Sequence, residues 1–258
     1  VDETWEDGYL HGDESRIFVN TSLGCRAKCS YCYLPEVGFT TGTKPERFKT
    51  AETILASLFK SNSFIRGQQG TIISIGCFSE CWDDINKQET IEIIEKVVEM
   101  GNPIQLATKR FIDYNEVSHI VPKLKWEGQL SIYISCASIS NWGQYEKGTV
   151  SPRLRFKSFD IKEKLGIPCF LYIKPVLKDI TILDVEKYYE VMKKYKVDAV
   201  VGSIFVVDSS QDKAPILPGK LFYGNKSDES IIKEYLMDAG NIYDTSTEPI
   251  NKRRCIQV

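Results

Sequence analysis

Asn20-Thr21-Ser22-Leu23-Gly24-Cys25-Arg26-Ala27-Lys28-Cys29-Ser30-Tyr31-Cys32-Tyr33-Leu34 continues an apolar run at residues 17–21 and carries three cysteines in the spacing C-x3-C-x2-C. Three thiols on one loop can wrap a compact metal centre and leave a fourth coordination position open to an exchangeable ligand. A structural zinc site or a plain electron-transfer cluster calls for four protein ligands. No fourth Cys or His lies nearby, His11 and His119 being the only histidines. A non-catalytic iron–sulfur or zinc protein is the alternative that the loop leaves open.

Working outward, the run before the cysteines is the first of six predicted strands, at residues 17–21, 71–75, 104–107, 130–135, 169–173 and 199–207. Between them lie helical patterns at residues 51–59, 89–100, 114–124, 154–165 and 183–195, with apolar residues three or four apart. Runs such as TIISI and AVVGSIFVV have no polar face, as expected of parallel strands covered by helices. The fold class is therefore α/β, a partial six-unit TIM-type barrel with a short C-terminal extension. Residues 1–207 form the expected barrel core and residues 208–258 an extension packed on it. In such a sheet the active site is built at the C-terminal strand ends, where the loops converge.

Residues 208–227 lose the alternation and read as a long loop, of the kind that serves as lid, binding segment or linker. A last helical pattern covers residues 229–239. The basic triplet Lys252-Arg253-Arg254 reads as a solvated terminus rather than a phosphate grip.

Composition narrows the classes. The 258 residues carry a formal charge of −2, so the whole molecule offers no strong field to a polyanion. Eight cysteines are too sparse for a disulfide scaffold, and no window approaches the apolar length of a membrane span. The polar, acidic N-terminal stretch is unlike a secretory signal, and a reducing, cytoplasmic location is expected.

The cysteine triplet, with Tyr31 just before the third cysteine, resembles the signature of the radical S-adenosylmethionine superfamily. From about Ile17 to Phe205 the chain is similar to its spore photoproduct lyase-like branch. The resemblance implies a [4Fe–4S] cluster on Cys25, Cys29 and Cys32, and S-adenosylmethionine as cofactor. The cluster reductively cleaves that cofactor to a 5′-deoxyadenosyl radical, which abstracts hydrogen from an organic substrate. It also implies Tyr31 along the adenine, Tyr33 on the substrate side, Lys109 on the cofactor carboxylate and Ser135 on its ribose or methionine part, with Ser138 the next choice. The amino group falls to Ser79 or Glu80.

Cys77 stands where the lyases keep a hydrogen-donating cysteine, and an S–H bond is weak enough to quench a carbon radical. Its other reading is a buried structural thiol. Cys81 is the lesser donor candidate, and Cys169 and Cys255 are expected to pack in the core. The string Glu146-Lys147-Gly148-Thr149, followed by an arginine at the start of the next helix, Arg153 or Arg155, is similar to a further family motif. A flavodoxin- or ferredoxin-type protein is the implied electron donor. The substrate class stays open among small molecule, nucleoside or nucleotide, and peptide. The near-neutral charge and the lack of a dense basic stretch argue against duplex DNA, so photolesion repair is the alternative function.

Overall fold

The computed structural model describes residues 8–202, 205–208, 221–223 and 226–256. Most of residues 208–227, the predicted long loop, lies outside the described residues.

One eight-stranded sheet organises the chain: β1 (Leu10–Asp13), β2 (Arg16–Val19), β3 (Ile72–Ile75), β4 (Ile104–Thr108), β5 (Leu130–Ser135), β6 (Cys169–Ile173), β7 (Asp198–Val201) and β8 (Ile242–Tyr243). Their order across the sheet is their order along the chain. β1 and β2 form an antiparallel hairpin, and every later neighbour is parallel. The sheet is open, a partial barrel with six central strands. β1 and β8 are additions at its edges; β8 is two residues long, too short for a period-two pattern to register.

Alternation along the strands sorts two faces. Ile17, Val19, Ile73, Ile75, Leu106, Ile132, Ile134, Leu171 and Val201 join the main core under the helices. Each such fully buried side chain contributes roughly 1.5–3 kcal/mol. On helix Ala51–Lys60, Ala51, Ile54, Leu55 and Leu58 face inward at helical spacing, and the Thr50 hydroxyl accepts from the Thr53 amide at the start. Tyr133, Phe170, Val200 and Tyr243 form a separate cluster with Ala107 and Tyr172 on the opposite face, the lumen side.

Two readings change. The run at residues 199–207 divides: Asp198–Val201 belongs to the sheet, whereas Phe205–Asp208 pairs antiparallel with Leu221–Tyr223. Gly202, which interrupts the apolar run, stands at the break. The basic triplet is not simply solvated. It lies on helix Glu248–Ile256, with the Arg253 guanidinium 4.8 Å from the Phe170 ring centroid and Arg254 Nη1 donating to the Gly70 carbonyl at 3.0 Å. Guanidinium groups stack on rings while remaining charged, so a basic run can close the foot of a barrel.

Candidate active site at the C-terminal rim

The cysteine loop leaves the C-terminal end of β2 and is held by backbone bonds on three sides. Gly24 N–H donates to the Phe78 carbonyl at 2.9 Å, Cys25 N–H to Thr40 at 3.0 Å, and Ser30 N–H to Tyr145 at 2.9 Å. Lys28–Cys29 pairs antiparallel with Glu146–Lys147. Gly24 has φ +118°, and a Cβ there would lie 2.9 Å from the Thr40 carbonyl oxygen. Only glycine fits that crossing.

Cys25, Cys29 and Cys32 are all free and half-buried. Burial pushes the Cys25 thiol up to about 12, with the Glu80 charge adding to it and the Ala27 amide opposing. It pushes Cys29 up to about 11 against the pull of Lys109. Metal binding requires the thiolates, so Lys109 and the Ala27 N–H are the groups that favour them. Among the described residues no three His, Cys, Asp or Glu side chains are gathered as ligands of one ion. A four-iron cluster asks something else of its ligands, because each thiolate goes to a different iron. Three adjacent soft donors fit it.

A buried network joins this loop to the end of β5. The Tyr31 hydroxyl donates to Glu146 Oε1 at 2.5 Å, and that oxygen also accepts from the Ala137 amide at 3.0 Å. Glu146 Oε2 pairs with Arg155 Nη1 at 2.8 Å, both side chains fully buried. Arg155 also donates to the Ser135 carbonyl, to Thr149 Oγ1 at 2.9 Å and to the Val150 carbonyl at 2.7 Å. Burial alone would raise the Glu146 carboxyl, but Arg155, Lys109 and the Tyr31 hydroxyl hold it below its ordinary value. A second stitch runs from Arg26 through the buried Asp83 to Arg110, the latter pair at 2.6 Å.

The remaining candidates differ in how committed they are. Lys109 lies with Nζ 5.7 Å from the Tyr31 ring centroid, and it interacts with Cys29, Glu146 and Glu80. Both Glu80 oxygens are engaged, Oε1 by the Thr108 hydroxyl and Oε2 by the Lys109 amide at 2.9 Å. The Ser79 hydroxyl is buried without a hydrogen-bond partner among the described residues. Ser135 Oγ has only a long contact, 3.5 Å, to the Lys174 carbonyl, whereas Ser138 Oγ is committed to Asp184 at 3.0 Å. Of these candidates, Ser79 and Ser135 keep their hydroxyls unspent, as Thr21 and Ser22 also do at the end of β2.

Tyr33 and Cys77 come together. The tyrosine hydroxyl donates to the Cys77 carbonyl at 2.7 Å and lies 3.1 Å from its sulfur. Burial pushes the thiol up to about 11, against the Tyr33 hydrogen bond and the Arg16 charge. Cys81 turns away, its sulfur donating to the Ala107 carbonyl at 3.3 Å. Cys169 is buried as expected, but Cys255 is exposed on the C-terminal helix, on the side away from the Arg253 and Arg254 contacts. Sequence reasoning missed Asn20, whose Oδ1 accepts from the Phe78 amide at 2.6 Å, and Arg16 and Tyr172 in the lumen. The only signal for Arg16 was its alternation with Ile17 in β2.

Fold and site define an open α/β barrel with a three-thiol loop at its C-terminal rim. It is similar in structure to Streptococcus suis SuiB bound to S-adenosylmethionine, with 14% identity and TM-score 0.58 over 88% of this chain and 48% of that one. It is likewise similar to a spore photoproduct lyase variant with bound AdoMet and dinucleoside spore photoproduct, with 14% identity and TM-score 0.60 over 88% of this chain and 75% of that one. The lyase complexed with dinucleoside spore photoproduct matches at 15% identity and TM-score 0.57, over 86% of this chain and 74% of that one. The chain thus spans about half the length of SuiB. At such identities the likeness establishes the fold. No protein-family model and no curated protein sequence matches the chain. No helix among the described residues is long and apolar enough to cross a membrane.

Proposed function

We propose that this chain is a radical S-adenosylmethionine enzyme in which Cys25, Cys29 and Cys32 hold a [4Fe–4S] cluster. Tyr31, Lys109 and Ser135 hold the cofactor, and Ser79 rather than Glu80 takes its amino group. The observation that carries the reading is the contact of Tyr33 with Cys77 beside the three-thiol loop, on a fold shared with proteins that bind S-adenosylmethionine.

When bound and reduced, the cluster and cofactor supply a 5′-deoxyadenosyl radical. The chain's own contribution is positioning and hydrogen return. The Glu146–Arg155 pair fixes Tyr31, and through it the angle of the cysteine loop. Lys109 offers an ammonium to a carboxylate in a partly buried site, where a charge-assisted bond is strong. Cys77 stays a thiol near neutral pH and holds a transferable hydrogen atom, with the Tyr33 hydroxyl as its neighbour in the relay. A flavodoxin- or ferredoxin-type donor in the cytoplasm supplies the electron.

Anaerobic reconstitution, dithionite reduction and detection of 5′-deoxyadenosine test this. The nucleoside should form in the wild type and be lost in Cys25→Ala, Cys29→Ala and Cys32→Ala. Its absence from reconstituted wild type would leave the non-catalytic cluster or zinc protein as the better reading.

A second reading, repair of a DNA photolesion, draws on the lyase structure that holds a dinucleoside spore photoproduct. The net charge of −2 weighs against a duplex substrate. No salt-dependent binding of a lesion-containing oligonucleotide at low ionic strength would remove it.

A further inference from the structure

The lumen beneath Cys77 holds a guanidinium with no acid. Arg16 rises from the foot of β2, its Cζ 4.3 Å from the Phe18 ring centroid. Its Nε donates to Ser74 Oγ at 2.7 Å, and Nη2 donates to Gln105 Oε1 at 2.6 Å and Ser246 Oγ at 3.3 Å. Phe18, Ser74 and Gln105 are register partners, so the guanidinium lies one layer below Gly76, the residue before Cys77. Every partner is neutral, and no carboxylate among the described residues pairs with it. Nη1 makes no hydrogen bond among the described residues, all of the side chain's bonds running through Nε and Nη2.

A second unspent donor stands near. The Tyr172 hydroxyl has no hydrogen-bond partner among the described residues, and its ring packs edge-on to Tyr133 with centroids 5.7 Å apart. Arg16 interacts electrostatically with Tyr172, Cys77 and Tyr133, and Tyr172 in turn with Tyr33. Arg16, Phe18, Cys77, Ala107 and Tyr172 are only half-buried, although their outward neighbours Ile17, Val19, Leu106, Leu171 and Ile173 are sealed. The lumen is therefore open at this level, with aromatic walls.

We propose that Arg16 Nη1 and the Tyr172 hydroxyl anchor a carboxylate of the substrate, holding the adjoining carbon skeleton against Cys77. This rests on the reading of Cys77 and the cysteine loop given above and names the substrate class. A partly desolvated cation without an acid is costly, and a ligand anion relieves it. Two separate donors match the two oxygens of a carboxylate. One guanidinium balances one negative charge, whereas a phosphate monoester near its dianionic state would remain half-neutralised. Arg253 does not join in; it sits lower, on Phe170 and against Gly128.

Calorimetric titration of the reconstituted, unreduced protein tests the anchor without any turnover. The probes are 3-phenylpropionate, its neutral amide, phenyl phosphate, and the acid and amide of N-acetyl-glycyl-phenylalanine. Wild type should bind at least one acid about ten- to hundredfold more tightly than its amide, the worth of a charge-assisted bond. The phenylpropionate pair reports a small acid, and the dipeptide pair a peptide terminus. The preference should vanish in Arg16→Gln, which keeps hydrogen-bonding capacity, be partly kept in Arg16→Lys, and weaken in Tyr172→Phe. Equal binding or no binding of acids and amides by wild type overturns the proposal. So does a preference unchanged in folded Arg16→Gln, or tighter binding of phenyl phosphate. Loss of 5′-deoxyadenosine formation would instead count against the radical reading, so the two failures are distinct.

Discussion

The Tyr33 hydroxyl lies 3.1 Å from the Cys77 sulfur while donating to the Cys77 carbonyl at 2.7 Å, joining loops that leave two adjacent strands. Cys77→Ala should leave 5′-deoxyadenosine formation intact and lower product formed per nucleoside at least about tenfold. Tyr33→Phe should lower coupling less and cost about 1 kcal/mol of stability, the worth of one hydrogen bond. Product-to-nucleoside ratios measured by chromatography check both. An unchanged ratio in Cys77→Ala removes that thiol from the chemistry.

The raised Cys77 pKa fixes the sign of a pH effect. Pushed up to about 11, the group keeps its proton through neutral and mildly alkaline solution and loses it only as pH climbs toward that value. Coupling should therefore be flat between about pH 7 and 9, a range below the titration. Under native conditions iodoacetamide should label the exposed Cys255 well before Cys77, as peptide mass mapping would report. Equal labelling rates would contradict a protonated, half-buried thiol at Cys77.

Glu146 and Arg155 form a fully buried pair, and removing one charge strands the other. Glu146→Gln should cost about 3–5 kcal/mol in urea unfolding. Because Glu146 is held below its ordinary carboxyl value of about 4.5 despite burial, its contribution is complete above about that pH. It is lost as pH falls through the lower folded-state value. The gap between wild type and variant should accordingly shrink on acidification below that point. A gap independent of pH would contradict the ion-pair account.

Gly24 crosses the Thr40 carbonyl with φ +118°. Gly24→Ala should destabilise the chain by about 1–3 kcal/mol through backbone strain and contact. Iron retained after anaerobic reconstitution should fall with it. Gly38→Ala is the control: φ is +86°, but a Cβ there meets nothing within 4 Å, so a smaller loss of stability and full iron content are expected. Equal iron loss in the two variants would argue against steric control of the cysteine loop.

The sequence by itself determined the order of the six central strands and the helices between them, because both-sides-buried strands and one-sided helices leave different periodicities; the edge strands β1 and β8 escaped it. It also marked the cysteine loop, whose C-x3-C-x2-C spacing is local. Glu146 was legible within a motif, but nothing in one dimension says that Arg155 rather than Arg153 pairs with it, or that a tyrosine of the cysteine loop donates to the same carboxylate. What only the tertiary structure decided depends on distance across the barrel. It spent Ser138 on Asp184 and Glu80 on its neighbours, leaving Ser79 and Ser135 with unspent hydroxyls. It also set Arg16 in the lumen facing neutral partners, a position that a single charged residue at a strand start does not announce. Hydrogen-bond satisfaction is a property of neighbours in space, and those neighbours come from strands far apart in the chain.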